Sequence, residues 1–255
     1  MSARDFLTRG LLAGLLAGIV AFGVAYVAGE PPVNAAIAIE ETAGGTGHSH
    51  DPGTPAHTDD EAGVPRSLQS TLGLLTGTVV AGVTLGGLVG VLSALAMGRF
   101  GGVSPRATTT AVAGAGFVVV YLLPFLAYPP NPPAVGSSET IGVRTAAYFT
   151  LLAVSVLAAV VAVLVGRHLR TRLGGWHATL VGAATYLVLA GGAAALFPRF
   201  NEVPANYPAT VLYDFRLASF ATQLALWAVL GLVLAELVHR LTTRTAPMNA
   251  DRVAV

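Results

Sequence analysis

Three of the six histidines of this chain fall within the ten residues 48–57. His48 and His50 are two residues apart, so that in extended backbone both imidazoles lie on one face. Carboxylates in the same segment can complete a coordination sphere of nitrogen and oxygen. The candidate metal ligands are His48, His50, Asp51, His57, Asp59 and Glu61. This donor set suits Co²⁺, Ni²⁺, Zn²⁺ or Cu²⁺ and does not by itself identify the metal.

An ordinary solvated acidic loop with incidental histidines is the alternative, because three histidines are fewer than a His-rich tract contains. The surrounding segment, residues 30–69, is rich in Gly, Pro, Thr and Ala and has no Phe, Tyr or Trp. Such a segment buries too little apolar surface to offset the entropy of ordering it. We therefore predict a flexible loop that binds a divalent cation as a substrate, Co²⁺ or Ni²⁺.

Other kinds of chemistry have little support. Cysteine is absent, which excludes disulfides and thiolate metal sites, and every basic residue is arginine. The sequence contains no phosphate-binding loop, nucleophile elbow or zinc-protease helix. A net charge of +1 gives no indication of nucleic-acid binding. We predict a protein that is not an enzyme, has no cofactor and does not bind nucleic acid.

The elements that carry these residues are apolar. The chain is 54% hydrophobic and only 11% charged, with a mean hydropathy of +0.69, whereas soluble domains are about 25% charged. Six apolar runs have the length of about 20 residues that a helix needs to cross a bilayer. They are residues 11–28, 72–97, 107–128, 146–166, 176–197 and 217–238. We predict an all-α, polytopic membrane helix bundle in which residues 1–255 form a single integral membrane domain.

The arginines indicate how this bundle is oriented. The segments that lie on one side contain Arg4, Arg9, Arg99, Arg106, Arg167, Arg170, Arg172, Arg240, Arg244 and Arg252. By the positive-inside rule both termini are cytoplasmic and the loop at residues 30–69 is extracytoplasmic. A cleaved signal peptide is the alternative for the first run, although that run is long for one.

Within and beside the spans a few charged residues could form a cation pathway: Glu30, Glu40, Glu41, Arg216 and Glu236. A carboxylate inside a membrane is a candidate functional residue because burying it is costly. Glu236, however, lies near the cytoplasmic boundary and could extend to the interface. Arg144 and Arg216, with Glu139 and Asp214 nearby, could line an entrance or simply anchor helix ends.

Glycines and one proline indicate how the helices pack. Gly10, Gly14 and Gly18 follow at four-residue spacing in the first span, as do Gly82, Gly86 and Gly90 in the second. Each set forms a smooth ridge that allows close helix approach, within the chain or between two copies. We favour packing within the chain. Pro124 should kink the third span near its extracytoplasmic end and leave a carbonyl oxygen without its helical donor.

Taken together, several of these pieces resemble the CbtA family of predicted cobalt transporter subunits. The similar pieces are Gly29-Glu30 with Ala36-Ile37-Ala38-Ile39-Glu40-Glu41, His48-Ser49-His50 and His57 before Arg66-Ser67-Leu68-Gln69, Leu123-Pro124 before Pro129-Pro130-Asn131-Pro132, and Tyr213-Asp214-Phe215-Arg216-Leu217-Ala218-Ser219. The resemblance implies a multi-pass inner-membrane protein that supplies cobalt for cobalamin beside CbtB, a small single-span partner.

Two functions are consistent with these observations. In the favoured one, the chain is the membrane subunit of a divalent metal uptake transporter, with cobalt as the expected metal. The alternative is a non-transporting membrane scaffold or assembly partner, in which the loop binds another protein and the few charged residues are structural.

Overall fold

The structure, a computed structural model, describes residues 2–45, 65–99 and 101–250. Within these ranges the chain consists of helices and turns without strands, as predicted. Eight α-helices are numbered in chain order: α1 (Ala3–Val24), α2 (Glu30–Gly45), α3 (Arg66–Leu68), α4 (Leu74–Ala96), α5 (Pro105–Gly116), α6 (Leu123–Ala127), α7 (Ile141–Leu196) and α8 (Ala209–Ala250). Three π-helical turns, Ala25–Gly29, Gln69–Gly73 and Phe117–Leu122, join α1 to α2, α3 to α4 and α5 to α6.

Helical structure continues from α1 through α2, beyond residue 28, where the first span was predicted to end. The expectation that the loop from residue 30 is largely disordered is wrong for residues 30–45, because they form α2. The π-helical turn Ala25–Gly29 changes the hydrogen-bond register just before Pro31 and Pro32, which have no N–H to donate. The following Ala-, Ile- and Glu-rich stretch favours a helix, and Ala36 is fully buried where α2 packs beside α8.

The glycine ridges of α1 and α4 face each other within the chain, as the favoured interpretation predicted. A Cβ atom added at Gly14 would lie 2.1 Å from the Gly82 carbonyl oxygen, and one at Gly86 would lie 2.2 Å from that of Gly10. Gly18 likewise meets the backbone of Thr78. The two helices are therefore antiparallel and in direct backbone contact, which only glycine permits.

The longest helix, α7, is folded back on itself. At Gly174 the backbone has φ 75° and ψ 168°, a conformation that is accessible to glycine and strained for other residues. Its two limbs, residues 141–173 and 175–196, pack side by side, with Ala158, Ala162, Tyr186 and Ala190 buried between and beside them. Gly166 and Gly182 lie opposite each other in this pair. By length and composition five described helices can cross a membrane, and the longest of them, Ser138–Leu196, contains this reversal.

Pro124 disturbs the third predicted span as expected. The π-helical turn Phe117–Leu122 directly precedes it. In the π register the Val119 carbonyl would accept from the N–H of residue 124, which proline lacks. The Ser155 hydroxyl of α7 donates to this oxygen at 2.7 Å instead, and Tyr186 Oη donates to Ser155 Oγ at 2.9 Å. One buried chain of hydrogen bonds thus joins α5–α6 to both limbs of α7.

The bundle has an apolar surface and two polar ends. Its buried core centres on Leu226, Trp227, Leu230 and Leu234 of α8, packed against α1 and α5. Large apolar side chains such as Leu196 (88% exposed) and Val188 (72% exposed) cover the outside, as a lipid-facing surface requires. We call the end with residues 97–99, residues 101–106 and the α7 reversal the Arg-rich end. We call the end with residues 128–140 and 197–208 the Pro-rich end.

Candidate functional site

The predicted metal ligands from His48 to Glu61 lie outside the described residues. In the described ranges, no group of three or more His, Asp or Glu residues is arranged to hold a metal ion. Metal binding by His48, His50, Asp51, His57, Asp59 and Glu61 therefore stays a prediction.

The two ends of the segment that contains these histidines meet at the Pro-rich end. The Arg66 guanidinium forms an ion pair with Glu30, and it also donates to Asn34 Oδ1 from Nε at 3.2 Å and from Nη2 at 3.1 Å. The Glu30 side chain is only 14% exposed, so this contact is partly shielded from solvent. The chain between these residues consequently starts and ends at one place beside α1 and α4.

Glu40 and Glu41 do not join Glu30. They are exposed on α2, ten and eleven residues further along the helix, which corresponds to about 15 Å. Their separation from Glu30 means that these three predicted pathway residues form no common site within the described part of the chain. Glu40 and Glu41 are exposed carboxylates that precede the histidines in the sequence.

Arg216 lines a cavity of about 550 Å³ at the Pro-rich end. Arg144 lines the same cavity, so the structure places both arginines around one space rather than at separate helix ends. Arg216 donates to the Pro130 carbonyl from Nε at 3.3 Å and to Asn131 Oδ1 from Nη2 at 3.0 Å. Both acceptors are neutral, and no carboxylate among the described residues pairs with Arg216.

Among the described residues, Glu202 is the one acidic residue in the cavity wall, and it pairs with Arg144 at 3.2 Å. Its carboxylate also accepts from the Thr140 hydroxyl at 2.5 Å and from the Ser137 N–H at 2.8 Å. These two hydrogen bonds, together with the Arg144 charge, lower the pKa of Glu202 below its usual 4.5. Glu202 therefore remains ionised at neutral pH and neutralises Arg144.

Two pairs of aromatic side chains complete the cavity wall. Tyr128 and Phe200 have ring centroids 6.0 Å apart, and Tyr128 donates to the Pro198 carbonyl at 2.8 Å. Tyr148 and Phe149 of α7 form a T-shaped pair at 5.4 Å. Sequence reasoning identified the arginines but missed Glu202 and these rings. A single acid in a Pro-rich turn gives no local signal, because its partner is 58 positions away in the sequence.

Glu236 lies at the Arg-rich end. One of its oxygens accepts from Arg106 Nη2 at 2.6 Å and the other from Arg240 Nε at 2.8 Å. The carboxylate thus joins the start of α5 to α8. It is 20 residues from Arg216 on the same helix, or about 30 Å, so these two predicted pathway residues lie at opposite ends of the bundle.

An all-helical bundle with an apolar surface, a charged group at each end and several long apolar helices is a multi-pass membrane protein. Residues 3–239 match the family model described as "Probable cobalt transporter subunit (CbtA)". Since the match spans nearly the whole chain, the protein belongs to the CbtA family, which confirms the resemblance seen in the sequence. The family is one of transporter subunits and not an enzyme class. No curated protein and no solved structure matches the chain.

Proposed function

We propose that the chain is the inner-membrane subunit of a divalent metal uptake transporter, with Co²⁺ as the expected cargo and Ni²⁺ as the closest competitor. The observation that carries the proposal is the Arg66–Glu30 contact. It fixes both ends of the histidine-containing segment at one end of an apolar bundle in a family of cobalt transporter subunits. In this proposal the segment captures the ion and delivers it to a path beside Glu30.

The proposed topology has six spans, counting the two limbs of α7 separately, and cytoplasmic termini. The reversal at Gly174 supports the count, because each limb is long enough to cross about 30 Å of hydrocarbon. The concentration of arginines at one end supports the orientation. The backbone contact of α1 with α4 favours a retained first span over a cleaved signal peptide.

The chemistry of the segment suits capture and release. Imidazole binds a metal only when it is neutral, and its reference pKa is about 6.5. Metal affinity should therefore fall between about pH 7.5 and about pH 5.5, whereas binding by carboxylates alone would scarcely change over that range. A small CbtB-like subunit with histidines of its own is the expected partner.

The scaffold function remains a second candidate because of one specific observation. Three carboxylates of the described bundle, those of Glu30, Glu202 and Glu236, are paired with arginines rather than gathered into a cation site. Paired charges of this kind can hold helices together without conducting an ion.

Uptake of radioactive cobalt distinguishes the two functions. Cells without their own cobalt uptake would express the full chain with and without the small neighbouring membrane protein, at scarce and at excess metal. We expect accumulation that depends on the chain. A triple change of His48, His50 and His57 to Ala should lower uptake at scarce metal and leave uptake at excess metal nearly intact.

The matched control is the triple change of the other three histidines, His168, His177 and His239, to Ala, which should leave uptake unchanged. Equal loss at both metal concentrations in the first triple variant would place its histidines in the translocation path itself. No accumulation under any condition, with the protein present in the membrane, would favour the scaffold.

Reporter fusions test the topology separately. A reporter that is active only outside the cytoplasm should be active when fused after Pro132 and inactive when fused after Arg170 or at the C-terminus. Activity at the C-terminus would contradict the six-span arrangement.

A further inference from the structure

The cavity at the Pro-rich end does not have the donors that a bare metal cation requires. Among the described residues, its wall contains no histidine and no aspartate, and its one glutamate is already engaged by Arg144, Thr140 and Ser137. Two arginines against one carboxylate give the wall an excess of positive charge. A divalent cation would be repelled there, so the cavity needs a different occupant from the one proposed for the histidine segment.

We propose that this cavity binds a small oxyanion, a carboxylate or a phosphate, through Arg216. A guanidinium presents planar N–H donors that match the two oxygens of such a group. Arg216 donates its described hydrogen bonds to two neutral oxygens, those of Pro130 and Asn131. Its positive charge therefore remains unneutralised at the cavity wall. An anion entering the cavity would find this charge uncompensated by any described carboxylate.

Arg144 also favours an anionic ligand in this cavity. Its Nε–H is buried and has no partner among the described residues, although its Nη atoms bond Glu202 and the Ser137 carbonyl. A guanidinium with an unsatisfied buried donor is destabilised, because the donor has lost water without gaining an acceptor. The cavity volume of about 550 Å³ is within the range of small-molecule sites, about 300–1,000 Å³.

The aromatic walls indicate the shape of the ligand. The rings of Tyr128, Phe200, Tyr148 and Phe149 border the cavity and leave it partly apolar. An oxyanion attached to a short carbon skeleton fits both the charged and the apolar wall. Two sources supply this chemistry: a soluble organic anion, or the phosphate of an anionic lipid whose glycerol and chains lie against the rings. A metal ion would enter here only inside an anionic complex.

Binding would be measured on the purified full-length protein by calorimetry, at constant ionic strength maintained with chloride. In an uncharged detergent the probes are succinate and inorganic phosphate. In nanodiscs the probe is phosphatidylglycerol, introduced in steps into phosphatidylcholine, with thermal stability as the readout. A response to the soluble probes identifies a solute site, and a response to phosphatidylglycerol alone identifies a lipid headgroup site. Either response supports the proposal if it requires Arg216.

Arg216→Gln should weaken binding about tenfold or more, the effect of losing one charge-assisted contact. Arg199→Gln is the matched control, because Arg199 is exposed at the same end and does not line the cavity. Thr145→Trp is the second variant. It fills the cavity from an exposed position without removing either arginine, so it should abolish binding even where Arg216→Gln fails to fold.

Absence of any response to all three probes in the wild-type protein would overturn the proposal. Equal weakening by Arg199→Gln and Arg216→Gln would overturn it as well, because binding would then reflect general positive charge. The measurement needs no metal and no transport, so its outcome is independent of the cobalt uptake experiment.

Discussion

The pairing of α1 with α4 and the pairing of the two limbs of α7 solve the same problem in different ways. Lipid offers no hydrophobic drive for helix association, so close packing or hydrogen bonds must supply it. In α1–α4, glycines bring the backbones into contact, and no side-chain hydrogen bond joins the two helices among the described residues. The two limbs of α7 approach each other less closely at their glycines. A Cβ atom added at Gly182 would lie 3.0 Å from the Ala162 carbonyl oxygen, compared with 2.2 Å for one added at Gly86 in α4.

Polar contacts hold the α7 limbs where close packing does not. The Ser155–Tyr186 hydrogen bond joins them in the middle, and Glu202 holds the open end through Arg144, Thr140 and Ser137. The histidine segment therefore extends from a pair of helices fixed by backbone shape, whereas the cavity lies at the end of a pair fixed by polar groups. We infer that α1–α4 is the more rigid support and that the α7 pair can adjust around a ligand.

The largest effect is expected from a single methyl group in the α1–α4 contact. Gly86→Ala places a Cβ 2.2 Å from the Gly10 oxygen and 2.8 Å from the Gly14 Cα, where only movement of the backbone can relieve the overlap. We expect a loss of about 3 kcal/mol or more in the free energy of unfolding, at the upper end for overpacking. Thermal or denaturant unfolding in detergent measures it.

Two other glycine-to-alanine variants serve as controls. Gly77→Ala, on the same helix but in open space, should not destabilise the protein and could gain up to about 1 kcal/mol of helix propensity. Gly182→Ala in the α7 pair requires a shift of only a few tenths of an ångström and should be close to neutral. If Gly86→Ala is as mild as Gly182→Ala, the contrast between the two helix pairs is wrong.

A smaller effect is expected from breaking the hydrogen bond between the α7 limbs. Ser155→Ala removes the donor to the Val119 carbonyl and the partner of Tyr186, at a cost of about 1–2 kcal/mol. Tyr186→Phe removes only the second bond and should cost less. A double-mutant cycle should give a coupling energy of about 0.6 kcal/mol, and at most about 1.7 kcal/mol, as between membrane helices elsewhere.

Thr185→Ala is the control for this cycle, since the Thr185 hydroxyl donates to a carbonyl of its own helix. Its removal should change stability little. Strict additivity of Ser155→Ala and Tyr186→Phe would mean that the bond between these residues does not hold the limbs together.

The parts of this architecture that depend on sequence spacing could be predicted. Runs of apolar residues gave the helices, the four-residue glycine spacing gave the α1–α4 ridge, and Pro124 gave the disturbed helix in front of it. Each of these signals lies within one turn or one span of the chain. The expectation of a flexible loop failed for residues 30–45 because it weighed the Gly- and Pro-rich composition and the lack of aromatic residues above the helix-forming run around Ala36.

The candidate cavity could be predicted only in part. Arg144 and Arg216 are recognisable because few of the arginines flank the spans at the Pro-rich end. Their meeting in one wall depends on how the turns 129–135 and 198–208 pack together, and no local pattern encodes that arrangement. The same holds for Ser155, which looks like an ordinary small residue of an apolar helix until the carbonyl freed by Pro124 is placed opposite it.

The smallest effect concerns the pH dependence of the contacts that Glu202 makes with Arg144, Thr140 and Ser137 at the open end of α7. Folding lowers the pKa of Glu202 below 4.5 through the Thr140 and Ser137 hydrogen bonds and the Arg144 charge. A lowered pKa contributes stability that is fully present above the unfolded-state value and is lost as the pH falls through the folded-state value. Wild type should therefore exceed Glu202→Gln in thermal stability at pH 7, and the difference should shrink below about pH 4.5. Glu139→Gln, an exposed acid two residues from Ser137 with no ion pair in the described chain, should match wild type at every pH. A Glu202→Gln difference that stays constant down to pH 3 would show that the carboxylate charge does not hold the α7 limbs together at this end.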